Sequence, residues 1–189
     1  FFKQKTAYEI ELRHDVMAHI HTYGDQCPSA KGIIHLGATS CLVTDNTDVL
    51  IMRDGIRLII SRLQNLIHHL ANTADKYKAV ACLSFTHLQV GQPSTVGKRL
   101  CLWLQDFLLD LQDLKYRLQN LSLLGLKGAT GTQASFLDLF EGNHNKVCVL
   151  EELFKEKLHF DNVFPIAGQT YTRKQDSQVL DVLSGIASS

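Results

Sequence analysis

The sequence predicts an all-α fold of long bundled helices, and three observations carry that prediction. Apolar residues recur in steps of three and four from Val49 to Leu70. A second series of the same kind runs from Leu100 to Leu121. No segment alternates with period two for long enough to read as a strand.

The elements follow in order. From Lys5 to about Tyr23, the residues Ile10, Val16, Met17 and Ile20 keep a loose helical spacing. Gly24, Pro28, Gly32 and Gly37 then interrupt it and mark an irregular linker. Thr44 or Asp45 is the expected N-cap of a long helix over residues 46–78. Its stripe is Val49, Met52, Ile56, Ile59, Leu63, Leu66 and Leu70, widened by Ile60, Ile67 and Ala74. An interrupted segment surrounds His87, and Pro93 is expected to open the second long helix. That helix carries Leu100, Trp103, Leu104, Phe107, Leu111, Leu114, Leu118 and Leu121.

Helix length bears on assembly. About 33 residues at ~1.5 Å rise span about 50 Å. A compact chain of 189 residues has a radius of gyration of roughly 16 Å and so a diameter of ~42 Å. The first long helix is thus longer than a compact monomer is wide. Leu50, Ala71, Leu102 and Leu109 also lie outside the main stripes. Rods that are apolar on more than one side are expected to oligomerise, burying Ile59, Leu63, Leu66, Phe107, Leu111 and Leu114 among themselves and neighbouring subunits.

Composition excludes several classes. Nineteen basic residues balance nineteen acidic ones, which argues against an extended surface for nucleic acid. No apolar run reaches the roughly 18 residues of a membrane span. The five cysteines, Cys27, Cys41, Cys82, Cys101 and Cys148, are odd in number and never form a C-x-x-C pair. They read as reduced, mostly buried thiols of a cytoplasmic protein. The chain opens without methionine and ends within the helical pattern "VLDVLSGIASS", so it is expected to be an excerpt of a longer polypeptide.

Four polar segments break the greasy pattern: "LRHDVMAH" (12–19), "IIHLGATS" (33–40), "FTHLQVGQPSTVGKR" (85–99) and "LKGATGTQASF" (126–136). "GQPSTVGKR" imitates a phosphate loop, but it has five residues between its glycines and Arg99 where Ser or Thr is required. The histidines show no zinc spacing: His14, His19 and His21 lack the i, i+4 relation, and His68 and His69 point apart. No metal site is expected. Taken singly, a histidine such as His87 or His14 is more often structural than catalytic, and "KGATGT" alone reads as an inter-helical turn. Taken together, four uncharged hydrogen-bonding loops along a helical scaffold suit an anionic substrate held at bundle ends. The other reading is a set of joints in a structural array.

"RHDVMAH", "IHLGATS…DNTD", "FTHLQ…GQPSTVGKR", "KGATGTQASF" and "GQTYTRK" run in this order from Arg13 to Lys174. In that order they resemble the adenylosuccinate lyase family of the fumarase/aspartase superfamily. The resemblance implies an all-α bundle of long helices, with residues 1–38 ending a small helical N-terminal domain and residues 39–189 beginning the central bundle. It implies a homotetramer whose sites are shared between subunits, small purine nucleotides as substrates, no cofactor, and neither nucleic acid nor membrane as partner. The implied reaction eliminates fumarate from adenylosuccinate to leave AMP, and from the succinyl-aminoimidazole carboxamide ribotide.

By resemblance His87 is the general acid, as suits an imidazole working near neutrality, and Thr86 and Gln89 flank it. Thr39 and Ser40 resemble contacts to the succinyl carboxylate, and Gln133 resembles a further substrate contact. Arg13, His14 and Asp15 match the substrate-binding triplet, with Arg13 and His14 suited to the phosphate. Lys98 and Arg99 are expected to supply positive potential. Val90-Gly91 departs from the usual Pro-Ala, a change in loop stiffness more than in chemistry. The family's serine loop, source of the base, is expected beyond Ser189, so these residues alone are expected to be inactive. Two alternatives stand beside this reading. One is another superfamily lyase, such as an argininosuccinate lyase, which shares T-H-x-Q but is disfavoured by the Arg13-His14-Asp15 triplet. The other is a non-catalytic helical oligomerisation fragment.

Overall fold

In a computed structural model describing residues 2–189, helices dominate, as the sequence predicts. The first expected helix is divided. Arg13 takes a positive φ of 51° and His14 is extended, so α1 (Phe2–Leu12) ends and α2 (Asp15–Gln26) begins between them. The Nδ1 of His14 accepts the Met17 N–H at 3.3 Å and caps α2. The Tyr8 hydroxyl on α1 donates to Asp25 on α2 at 2.7 Å, and Lys31 donates to the same carboxylate at 3.0 Å. The Tyr8 bond, followed by that of Lys31, holds the Asp25 carboxyl below its ordinary range. Residues 27–38 then turn back repeatedly on their own carbonyls.

The long helix α3 (Ser40–Lys76) has 37 residues, about 55 Å at ~1.5 Å per residue. It begins at Ser40, not near Asn46, and neither Thr44 nor Asp45 caps it. Asp45 and Asn46 lie one turn inside, each 3% exposed. Their polar groups serve tertiary partners. The Asp45 carboxylate accepts the Tyr171 N–H at 2.9 Å. The Asn46 amide accepts the Gly125 N–H at 3.0 Å and donates to the Gly125 carbonyl at 3.2 Å. Val49, Ile56 and Leu63, seven residues apart, form the buried stripe of α3 with Ala74.

The segment around His87 contains strands, contrary to expectation. β1 (Ala81–Thr86) and β2 (Gln89–Thr95) pair antiparallel across the two-residue loop His87-Leu88. The alternation is hard to read because its polarity is reversed. Leu83 and Phe85 face out, while Cys82 and Ser84 are half-buried. Pro93 therefore lies in β2 and does not open a helix; α4 (Val96–Gln119) starts three residues later, with the Thr95 hydroxyl accepting the Lys98 N–H at 3.2 Å. Gly97 is required where α4 meets the end of α3, because a Cβ there would sit 2.4 Å from the Ala74 carbonyl oxygen. α7 (Lys174–Ser188) packs on α4, joined by Arg117 donating to Gln178 at 2.8 Å.

Between α4 and α7 the chain forms β3 (Ser122–Leu123), α5 (Ala134–Leu139), α6 (His144–Leu158) and β4 (Asn162–Val163), with β3 and β4 parallel. Leu126, Phe136 and Val147 make a core here, lined by Leu42, Phe140 and Phe154. Gly131, at φ 79°, brings the turn before α5 so near residue 167 that a Cβ would lie 1.9 Å from the Ala167 carbonyl oxygen. The residues group into two compact units, Phe1–Ile51 with Ser122–Thr172, and Met52–Leu121 with Arg173–Ser189.

Burial within the single chain follows the expected stripes in part and departs from expectation at the cysteines. Leu63, Leu111 and Leu114 are buried, but Ile59 and Phe107 are half-buried and Leu66 is exposed in the single chain. The cysteines are not mostly buried: Cys27, Cys41 and Cys82 are half-buried, and Cys101 and Cys148 lie on open faces of α4 and α6.

The Asn46 contacts give a stability prediction. Asn46→Ala leaves the Gly125 N–H and carbonyl without their amide partner inside the protein. A buried polar group left unsatisfied costs about 1–3 kcal/mol. Urea denaturation is expected to show a loss of at least this size, and an unchanged midpoint would contradict the assignment.

Candidate functional site

Of the sequence-predicted residues, Arg13, His14, Asp15, Thr39, Ser40 and Gln133 belong to the first unit, and Thr86 and His87 to the second. In the first unit, Arg13-His14-Asp15 forms the exposed junction of α1 and α2. The capping bond fixes the tautomer of His14. An Nδ1 that accepts a hydrogen bond carries no hydrogen of its own, so in the neutral ring the hydrogen sits on Nε2, which is left to donate outward. Thr39 directly precedes α3 and Ser40 is its first residue. That places both beside the backbone N–H groups and positive dipole end of a long helix.

Gln133 precedes α5 and is half-buried. Its Nε2 is buried and makes no hydrogen bond among the described residues. It borders a polar cavity of about 490 Å³ that also takes in Lys127, Glu151, Asp161 and Asn162. Lys127, 5% exposed, pairs with Glu151 at 3.0 Å and so braces the wall. An unpaired amide at the edge of a polar cavity is a donor available to a ligand.

Asp15 borders a different cavity, of about 450 Å³, walled by Val16, Ile20, Ile34 and Val43 with His35 and Asp48. His35 is a residue the sequence reading passed over. Its Nδ1 is buried without a hydrogen-bond partner, and burial, with His14 adding a smaller effect, holds its pKa below the ordinary value. The "IIHLGATS" segment contained the signal, but only the fold shows that this imidazole turns inward.

In the second unit His87 occupies the hairpin tip, exposed, at φ 51° beside Leu88 at φ 62°. Two positive φ values in a two-residue loop are the pattern of a type I′ turn, usually filled by Asn-Gly. Non-glycine residues are strained there, so an imidazole at the tip is held at a conformational cost. Its ring makes no hydrogen bond among the described residues. Thr86 borders a cavity of about 570 Å³ on the hairpin with Ser84, Ser94, Thr95 and Lys98. Arg99 is committed elsewhere: its guanidinium donates to the Leu83 carbonyl at 2.6 Å.

No cluster of three or more metal-ligating side chains occurs among the described residues. No helix among them is long and apolar enough to cross a membrane. Each unit by itself offers hydroxyls and imidazoles, and the first also the Gln133 amide, groups suited to anion recognition and proton transfer.

The pKa of His35 has a consequence for stability. The unfolded chain binds a proton at the ordinary value near ~6.5, whereas folded His35 binds it only at lower pH. Stability from neutral His35 is therefore complete above that value and declines as pH falls toward the folded-state pKa. The urea midpoint is expected to drop between about pH 7.5 and about pH 5.5, and to drop less in His35→Asn. Equal drops in both proteins would contradict the burial of this ring.

Comparison with known proteins shows the family to which the chain belongs. A family model described as "Lyase" matches residues 3–141. The chain is 53% identical over 182 residues to an adenylosuccinate lyase of Saccharomyces cerevisiae, covering 96% of this chain and 38% of the relative. It is 47% identical over 187 residues to an adenylosuccinate lyase of Schistosoma mansoni, covering 98% of this chain and 39% of that protein. The fold is similar to the crystal structure of a fumarate lyase from Mesorhizobium sp. BNC1, with a TM-score of 0.80 at 21% identity, covering 99% of this chain and 42% of that one. The chain thus spans well under half the length of the relatives it matches.

Proposed function

The chain belongs to the lyase family, and from that premise we propose that it forms part of an adenylosuccinate lyase. The reaction is elimination of fumarate from adenylosuccinate, leaving AMP, and the matching cleavage of succinyl-aminoimidazole carboxamide ribotide. The observation that carries this reading is identity near one half to adenylosuccinate lyases along nearly the whole chain. The geometry supports it with an unbonded imidazole at a hairpin tip and an unpaired amide at a cavity edge.

In this reading a base removes the proton from the carbon beside a carboxylate. The C–N bond breaks with its electron pair going to nitrogen, protonated His87 donates a proton to that nitrogen, and fumarate leaves. The base is assigned, by family resemblance, to a serine loop outside residues 1–189. Thr39 and Ser40 hold the succinyl carboxylate at the head of α3, and Thr86 and Gln133 donate to the substrate. Arg13 and the Nε2–H of His14 take the phosphate, with Asp15 beside them. Lys98 contributes positive potential, and no cofactor or metal is required.

The subunits are proposed to assemble as a homotetramer with shared sites, working in the cytoplasm on purine nucleotides, with no nucleic acid or membrane as partner. Leu102, Leu109 and Tyr116 support this assembly. They form an exposed apolar stripe of seven-residue spacing on α4, at 57%, 54% and 61% exposure. Residues 1–38 are assigned to the end of an N-terminal domain and 39–189 to the central bundle. That division concerns the whole protein, and it differs from the two packing units of this chain.

Three measurements on a polypeptide of the relatives' full length test this reading. An absorbance assay on adenylosuccinate is expected to show fumarate release, with His87→Ala slower by ~10²–10⁴-fold; near-normal turnover in that variant would remove His87 from its role. His14→Asp keeps a capping acceptor for the Met17 N–H but has no N–H to donate outward, so KM is expected to rise while thermal stability holds. Equal KM values would remove His14 from the phosphate. Light scattering is expected to give a tetramer, and a stable monomer at micromolar concentration would refute the assembly.

A further inference from the structure

The hairpin that carries His87 is poorly anchored by packing. Leu83, Phe85, Leu88 and Val90 are 50%, 58%, 100% and 61% exposed, so side-chain burial fixes little of its direction. Its ladder is also interrupted. Thr86 pairs with Gln89 and Phe85 with Val90, but the next pair is Leu83 with Pro93. One residue of β1, Ser84, therefore faces two of β2, Gly91 and Gln92. A bulge of this kind bends a hairpin, sharpens its twist and re-aims the side chains beyond it. The strand backbones come close here, since a Cβ on Gly91 would lie 3.4 Å from the Ser84 carbonyl oxygen.

At the base of the bulge, Pro93 has no N–H to offer the residue opposite, Leu83. The Leu83 carbonyl accepts a hydrogen bond from the Arg99 guanidinium instead, at 2.6 Å. Arg99 stands in the first turn of α4, a helix of 24 residues whose start is fixed by the Thr95 cap and by the close approach of Gly97 to α3. The guanidinium thus joins the exposed hairpin to the start of a long helix at the point where the hairpin bends. Its planar, charged donor makes a stronger bond to a carbonyl than a neutral group does.

We propose that Arg99 is a positioning residue for His87: by bonding the Leu83 carbonyl at the bulge, it sets the direction in which the hairpin tip presents the imidazole. This rests on the reading of His87 as the general acid. It assigns Arg99 a mechanical role in place of the general positive potential expected from the sequence. Misplacement of a catalytic group by ~1 Å can cost about 10²-fold in rate. The loss should fall on the chemical step and not on substrate binding.

The test uses the full-length polypeptide with Arg99→Met and Arg99→Lys, assayed on adenylosuccinate, together with amide hydrogen exchange at Phe85, Thr86 and Gln89. Arg99→Met is expected to lower kcat by ~10- to 100-fold, to leave KM within about threefold, and to speed exchange at the hairpin amides. Arg99→Lys keeps the charge without the fork and is expected to fall between Arg99→Met and wild type in both readouts. Wild-type kcat in Arg99→Met would overturn the proposal. So would a raised KM with kcat retained, which would mark a charge role, or a lost kcat with unchanged hairpin exchange. Failure of both variants to fold would show a general structural role and overturn it equally. An inactive wild-type protein would instead sink the proposed function, leaving the exchange data to decide whether Arg99 holds the hairpin.

Discussion

Two adjacent polar residues buried one turn inside α3, Asp45 and Asn46, place the loops of the first unit. Burying a carboxylate and an amide is costly unless their hydrogen bonds are replaced. Here the replacements come from far along the chain: Tyr171 donates to Asp45, and Gly125 exchanges two bonds with Asn46. The penalty for breaking either arrangement keeps both distant segments on the helix. Tyr171, 2% exposed and stacked against Phe164, brings the chain after β4 into place. The turn at 128–132 then docks against the Ala167 and Gly168 carbonyls through Gly131, and Gln133 follows immediately. The position of a candidate substrate donor thus descends from two buried side chains bonded to the backbone of Tyr171 and Gly125.

The second unit works by another principle. Its helices supply length and rigidity, and its hairpin carries the proposed general acid, His87. The tip residues hold strained φ values, the strands are exposed, and the Arg99 bond at the bulge is a specific restraint on where the tip points. An element with little burial of its own is well suited to meet a ligand or a neighbouring subunit. The exposed leucines of α4 fit the same picture, because apolar stripes at seven-residue spacing are faces that helices cover in assemblies.

Much of the fold was legible because helical periodicity is local. The stripes of α3 and α4 stand in the sequence, and the buried residues Val49, Ile56, Leu63, Leu111 and Leu114 lie on them. What escaped was set by tertiary partners. Asp45 reads as a cap because its local propensity favours one, yet its carboxylate is engaged 126 residues away. The strand β1 escaped because its apolar residues face solvent, so the alternation runs opposite to the usual code. Pro93 suggested a helix start, and here it serves as the strand residue without an N–H. Of the site, the quoted motifs supplied the residues; the tautomer of His14, the inward turn of His35 and the bond of Arg99 depend on geometry that spacing does not contain.

The central claim is that the hairpin tip delivers an imidazole to the departing nitrogen of a bound succinyl-purine. The most direct measurement is a crystal structure of the full-length polypeptide, inactivated at its base and soaked with adenylosuccinate. The account predicts a ring nitrogen of His87 within about 2.6–3.2 Å of the bridging nitrogen, with Thr39 or Ser40 on the succinyl carboxylate. Adenylosuccinate bound with His87 turned to solvent and another acid on that nitrogen would contradict it.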